Sequence, residues 1–211
     1  MSADEVRTLL KGRDNKINKM KNIITCCIVT IGIIGCAAPI KEFYPDTFYE
    51  EDSIYQNKAL GFNLKFQDDW YIFTDPNKMD KPLRALALEL NRDASELLFI
   101  GAATDGLQGV RAVAAHLNAS AAEYATAYYQ LNKQDIFEDS GLVEVTIKNL
   151  PVVIWEYSKK NGQSKVRFIE FFFAIRSYTV RMAFWSDPRI FVRFLPVYFE
   201  IMTSLEIVEK F

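Results

Sequence analysis

From Val143 to Phe184 the chain alternates between apolar and polar residues and is broken only by short turn signals. Val143, Val145 and Ile147 lead to Asn149; Val152, Ile154 and Tyr157 lead to Asn161-Gly162; Val166, Phe168 and the run Glu170 to Ile175 lead to Arg176-Ser177; Tyr178, Val180, Met182 and Phe184 follow. A period of two is the signature of strands with one face turned to a core. The breaks are too short for a crossover, so each strand must return beside the one before it. Few arrangements satisfy that pattern, and an antiparallel meander is the simplest.

The flanks complete the fold class. Upstream, Phe62, Leu64 and Phe66 alternate, Trp70 and Ile72 continue beyond Gln67-Asp68-Asp69, and Leu86, Leu88 and Leu90 alternate again, which reads as a further strand. Leu97 to Ala103 is a continuous apolar run suited to a strand buried on both faces. Gly101 to Gly109 reads as a loop, and Val110 to Leu117 as a short helical turn. Ser120-Ala121-Ala122-Glu123 is a capping box that starts a helix carrying Tyr124, Ala127, Tyr128 and Leu131. Ser186-Asp187-Pro188 opens a last helix, with Asp187 as cap and Pro188 in the first turn. Its buried stripe is Phe191, Phe194, Leu195, Tyr198, Phe199 and Met202, with Pro196 as a kink, and Leu205 to Val208 forms a closing strand. Strands, helix, meander and helix predict an α+β domain, a largely antiparallel sheet flanked by helices.

The N-terminal region is of another kind. Ile23 to Gly35 is 13 residues without a charge, preceded by Lys16, Lys19 and Lys21 and followed by small residues. A membrane-spanning helix needs about 20 apolar residues, whereas the core of an export signal needs about 7–15. Ile33-Ile34-Gly35-Cys36 resembles the lipobox of bacterial lipoproteins, with Ile33 and Ile34 as the apolar pair, Gly35 as the small residue and Cys36 as the lipid acceptor. The resemblance implies a thioether-linked diacylglycerol on Cys36 and cleavage before it. It also implies an outer-membrane destination in a Gram-negative cell, because Ala37 and not Asp follows the cysteine. Two other readings are a plain signal cut after Ala38 and an uncleaved anchor running to Ile40. Met20-Lys21-Asn22 would make a complete start by itself, so residues 1–19 read either as lying ahead of the true initiator or as a genuine extended basic leader.

The division expected is therefore a leader over 1–35, a tether over 36–53 and a single domain over 54–211. Removing 35 residues from 211 leaves a chain of 176 with 19 basic and 24 acidic residues, a formal charge of −5. Mild acidity without a basic block excludes nucleic acid as the expected partner. All three cysteines fall at or before Cys36, so the processed domain can form no internal disulfide and offers no thiolate pair to a metal.

Tyr55-x-Asn57, Gly61-Phe62-x-Leu64-x-Phe66 and Asp69-Trp70 resemble the opening of PsbP-like domains, with Gln67 standing where proline is common. The resemblance covers roughly residues 55–208 and implies an α/β/α sandwich. PsbP itself is an extrinsic photosystem II subunit. The fold also serves a nuclear-transport factor and small bacterial secreted proteins, mostly binding modules, and no catalytic residue carries over.

Candidate chemistry is sparse. His116 is the single histidine and sits in a packing segment. Asp68-Asp69 fits a turn, because neighbouring strand residues point to opposite faces. Glu138-Asp139 and Glu50-Glu51-Asp52 read as solvated. Gly101, Gly106 and Gly109 lack the Gly-Lys-Ser/Thr of a phosphate loop. Trp155, Tyr157 and Trp185 are candidates for an aromatic binding groove, with core packing as the plainer reading. Arg167, Arg176, Arg181, Arg189 and Arg193 could share a face toward an anionic partner, or pair with acids such as Glu170 and Glu200. No catalytic residue, metal ligand or cofactor is assigned. The expectation is a lipid-anchored, non-enzymatic envelope module that contacts the membrane through its lipid and binds an envelope protein or another envelope component; an envelope hydrolase or other enzyme is the alternative.

Overall fold

The computed structural model describes residues 48–90, 95–161 and 164–208. The export segment, the lipobox Ile33, Ile34 and Gly35, Cys36, and the tether as far as Thr47 lie outside the described residues. The strands are β1 (Phe48–Tyr49), β2 (Ile54–Asn57), β3 (Phe62–Lys65), β4 (Trp70–Phe73), β5 (Ser95–Ala103), β6 (Gln108–Ala115), β7 (Ile136–Ile147), β8 (Leu150–Asn161), β9 (Ser164–Ile175), β10 (Tyr178–Ser186) and β11 (Glu206–Ile207). The helices are α1 (Lys81–Leu90), α2 (Ala121–Asn132) and α3 (Phe191–Thr203). Two antiparallel sheets result, of order β1-β2-β3-β11 and β4-β5-β6-β10-β9-β8-β7. The domain is α+β, as its alternation predicts.

The meander folds as read. Lys148 and Asn149, at φ 47° and 68°, make the two-residue turn between β7 and β8. Arg176, at φ 56°, helps turn β9 into β10. Strand β7 starts earlier than its alternation suggests. Gly141, at φ 71°, sits inside it where the register with β8 shifts between Asp139 and Leu142. That is a bulge on the outer strand of the larger sheet, and the positive φ is why glycine stands there.

Alternation sorts the residues of the large sheet onto two faces. One face carries Val110, Ala112 and Ala114 from β6, Ile169, Phe171 and Phe173 from β9, and Val180, Met182 and Phe184 from β10. These pack against Tyr55, Phe62 and Leu64 of the small sheet, against Phe66 just beyond β3, and against Phe191, Tyr198, Ile201 and Met202 of α3. Phe184 stacks on Tyr198 at 4.8 Å, and Phe62 meets Phe173 edge-on at 6.1 Å. The opposite face is covered by α1 at the β5–β6 end and by α2 over β8 and β9.

Three segments depart from their sequence pattern. Lys81–Leu90 is a helix and not a strand. The Asp80 carboxylate accepts from Leu83 N at 2.9 Å, its carbonyl accepts from Arg84 N at 2.9 Å, and the segment is built of strong helix formers with no β-branched residue. Leu83 and Ala87 then fall one turn apart and pack on Leu97, Ile100 and Val113. The alternating leucines were a coincidence of composition. Gln108–Ala115 is a strand and not a helical turn, because it is paired on both sides, to β5 and to β10. Burial there outweighs the helical preference of its alanines. Finally, α3 begins at Phe191, three residues after Pro188; Asp187 instead shapes the preceding turn, accepting from Arg189 N at 2.9 Å.

The stripe of α3 is largely as read, with Phe199 38% exposed and Ile201 taking a buried place not expected of it. The capping box of α2 is present, but its buried residues are Ala121 and Ala125, and Leu131 is 82% exposed. Phe48, from the stretch read as tether, packs edge-on against Phe66 at 6.1 Å.

Candidate functional site

The helix-covered face of the large sheet holds the groups with most chemical potential. Tyr157 of β8 and Trp185 of β10 both lie opposite Phe168 of β9 in register, so one row of rings crosses three strands. Trp155 meets Tyr157 at 4.2 Å, Tyr157 stacks on Phe168 at 5.1 Å, and Phe168 meets Trp185 at 6.1 Å. The row ends over β6, where the Trp185 indole lies 2.2 Å from where a Cβ would stand on Gly109. Any side chain at 109 would displace it.

The three aromatics are thus brought together, but not as an open groove. Trp155 and Tyr157 are 0% and 2% exposed. Rings from α2 seal them: Tyr129 meets Trp155 at 5.1 Å and Tyr128 at 6.2 Å. Only Trp185 is half-buried. A sheet face that buries an aromatic row must cover it, and α2 does so.

Asp139, read as solvated, anchors this lid. It accepts from Trp155 Nε1 at 2.8 Å, the Tyr129 hydroxyl at 2.7 Å and Gly141 N at 2.8 Å. Partial burial works against its charge, yet these donors together hold its carboxyl below the usual carboxylate value. Glu138 likewise accepts from Ser158 Oγ at 2.7 Å.

Beside the aromatic row lies a charged cluster. Glu170 is 0% exposed, and its Oε1 accepts from the Tyr157 hydroxyl at 3.0 Å and from Arg181 Nη1 at 3.1 Å. Arg111 Nη2 stands 3.8 Å from the same oxygen. The Arg181 guanidinium lies 4.0 Å from the centre of the Tyr128 ring, a cation–π contact from α2. Burial opposes the charge on Arg181, but Tyr128 and Glu170 outweigh it and hold its pKa above the ordinary guanidinium value. Burial first, then Glu170, push the Tyr157 hydroxyl well above its ordinary value, so it serves as a donor and not as a phenolate. Glu170 Oε2, Arg111 Nε and Arg181 Nε are buried with no hydrogen-bond partner among the described residues.

The remaining arginines do not form one face. Arg167 pairs with Glu156 and Glu138, Arg176 donates to the Ala59 carbonyl at 3.2 Å, and Arg189 pairs with Asp187. Exposed His116 meets Tyr178 edge-on at 5.0 Å. Asp68 accepts from Ser53 Oγ at 3.0 Å in a turn. Elsewhere, a cleft of about 280 Å³ opens beside β4, lined by Phe48, Trp70, Phe73, Asp68 and Asp75 among others. Among the described residues no group of three or more His, Cys, Asp or Glu could hold a metal ion, and no helix is long and apolar enough to cross a membrane.

Sequence reading named Arg181 and Glu170 as a possible surface pair; the pair is real but buried. It passed over Arg111. The available signal was a lone charge inside an apolar strand: Glu170 within Phe168 to Ile175, and Arg111 within Gly109 to Ala115.

No family model matches this chain, and no curated protein matches it. Solved structures do. The solution structure of the cyanobacterial PsbP protein CyanoP from Synechocystis sp. PCC 6803 superposes with a TM-score of 0.53 at 8% identity, over 85% of this chain and 98% of that one. The fold is PsbP-like. LpqN of Mycobacterium tuberculosis, described as involved in cell envelope biogenesis, gives a TM-score of 0.51 at 11% identity, over 70% of this chain and 83% of that one. A Bacteroides thetaiotaomicron structure gives 0.48 at 12% identity over 74% of this chain, which spans about half of that protein, 48%. At these identities the likeness is one of PsbP-like architecture, and a shared fold hosts many functions.

Proposed function

We propose that this chain is a lipid-anchored cell-envelope protein whose PsbP-like domain is a non-enzymatic binding or accessory module. The observation that carries the reading is the basic, apolar and small-residue succession from Lys19 to Ile33-Ile34-Gly35-Cys36. Cys36 receives the lipid, and with Ala37 behind it the protein goes to the outer membrane, facing the periplasm. One acyl chain holds a protein only marginally, so two or three chains make the attachment stable. The geometry of the domain supports the binding half of the reading. Its buried carboxylate is engaged by a phenol and two guanidiniums, and its densest aromatic row is closed by a helix. Guanidiniums and aromatic rings are residue types that anchor recognition sites. Envelope biogenesis, the description of LpqN, agrees with such a role.

Cys36→Ser tests the anchor. Metabolic labelling with palmitate is expected to disappear, and the protein to be released or to stall as an unprocessed precursor. Labelling that persists in the variant overturns the reading.

A further inference from the structure

We propose that the sheet surface between α1 and α2 is an anion-binding site, built on Arg111 and Arg181, that takes the oxyanion of a phosphate or carboxylate group. The proposal rests on the binding-module half of the preceding reading and not on the anchor.

The first argument is charge. Two guanidiniums face one carboxylate here, and the side chains of Glu170, Arg181 and Arg111 are only 0%, 9% and 16% exposed. The other groups that face them are neutral: Tyr157 from β8, and Tyr124 and Tyr128 from α2. Among the described side chains of α1, Leu83 and Ala87 pack on the neighbouring Leu97, Ile100 and Val113, while Arg84 is spent on the carbonyls of Pro76 and Asn77 at 2.7 Å and 3.0 Å. Among the described residues the cluster therefore carries one positive charge with no counter-ion. Buried charges are costly unless paired, and this cluster is one anion short.

The second argument is hydrogen bonding. A guanidinium has five N–H donors. The Nε of both arginines is buried and unpartnered. At 3.8 Å from Glu170, Arg111 makes an ion pair and no hydrogen bond, so its planar fork is unspent. Such a fork matches two oxygens of one oxyanion.

The third argument is access. Arg111 is the most exposed member of the trio, with Ala183 beside it in register on the β10 side and Ile100 on the β5 side. Gly109, two positions along the same face, bears only the flat indole of Trp185. It lies between Val113, which packs toward α1, and the aromatic row under α2. On the β10 side only the methyl of Ala183 stands beside Arg111, and the Trp185 indole lies over Gly109 two positions away.

The experiment is a titration of the full processed chain in detergent with inorganic phosphate and, separately, acetate, at ionic strength matched with chloride. It is read by the thermal midpoint and by calorimetry. A ligand of the folded state alone raises the midpoint with the logarithm of its concentration. Saturable stabilisation by phosphate, acetate or both is expected; phosphate alone points to a phosphoryl group, and acetate alone to a carboxylate. Arg111→Gln should bind the anion at least about tenfold more weakly. In anion-free buffer it should be no less stable than the parent, because it removes an uncompensated charge. Arg111→Lys keeps the charge without the fork and should fall between. Equal stabilisation by chloride overturns the proposal. So does undiminished binding by Arg111→Gln, or a parent that binds neither anion. Palmitate labelling is untouched by any of these results, so anchor and anion site fail separately.

Discussion

The two faces of the seven-stranded sheet are made by the same strands, yet they are different materials. Strand β9 sends Ile169, Phe171 and Phe173 to one side and Phe168, Glu170 and Phe172 to the other. Strand β10 sends Val180, Met182 and Phe184 one way and Arg181 and Trp185 the other. The first face is closed by a second sheet and α3, a continuous cover over an apolar centre. The second is covered by two separate helices, and its charges lie between them. The comparison teaches that the cover decides what the sheet can carry: a dry face supplies cohesion, and a divided cover admits polar groups that cohesion alone would forbid.

Glu170→Ala attacks the contrast most directly. It leaves Arg181 and Arg111 buried against each other and should cost about 3–5 kcal/mol in urea denaturation. Phe171→Ala, on the dry face, should cost a similar amount, about 3–5 kcal/mol, as a cavity effect. Salt tells them apart. The loss from Glu170→Ala should shrink as salt rises, because added anions can reach the partly exposed Arg111 guanidinium and offset the repulsion, while that from Phe171→Ala should not. A cost below about 1 kcal/mol for Glu170→Ala would mean the cluster is solvated and the two faces are alike.

Asp139→Ala sharpens the comparison at the lid. Orphaning the buried Trp155 Nε1 should cost about 1–3 kcal/mol and shift tryptophan fluorescence. The pH dependence follows from the depressed carboxyl of Asp139. Its contribution is complete above the ordinary aspartate value and is lost as pH falls through the lower, folded value. Parent and variant should therefore differ at neutral pH and converge only in strong acid, as denaturation curves at stepped pH would show. Ser120→Ala, which removes the α2 cap, should cost about 1 kcal/mol and leave the dry face untouched by hydrogen exchange.

The dry face was the legible one. Val180, Met182 and Phe184 announce it by alternation, and Ser120 with Glu123 announces α2 by side-chain chemistry that needs no tertiary partner. Where the reading failed, tertiary pairing decided. Ala112, Ala114 and Ala115 prefer helix, but two neighbouring strands claim them; Leu86, Leu88 and Leu90 mimic a strand, but Asp80 caps a helix ahead of them. The charged cluster was hidden for a related reason. Arg111, Glu170 and Arg181 sit on three strands, and only the order β6-β10-β9 brings them together. Trp155 and Tyr157 were recognised as aromatic neighbours, but nothing in their spacing says that Tyr128 and Tyr129 will roof them.

The bulge at Gly141 has a further consequence. Strand β7 is 12 residues long and forms one margin of the large sheet, while the other margin, β4, has only 4. A long straight margin would recruit the backbone of a neighbouring copy as another rung, the route by which sheets grow into fibres. Here the register breaks in mid-strand, and Glu138, Asp139 and Glu144 set carboxylates along the outer rung. Many copies can therefore crowd side by side without zipping into one another.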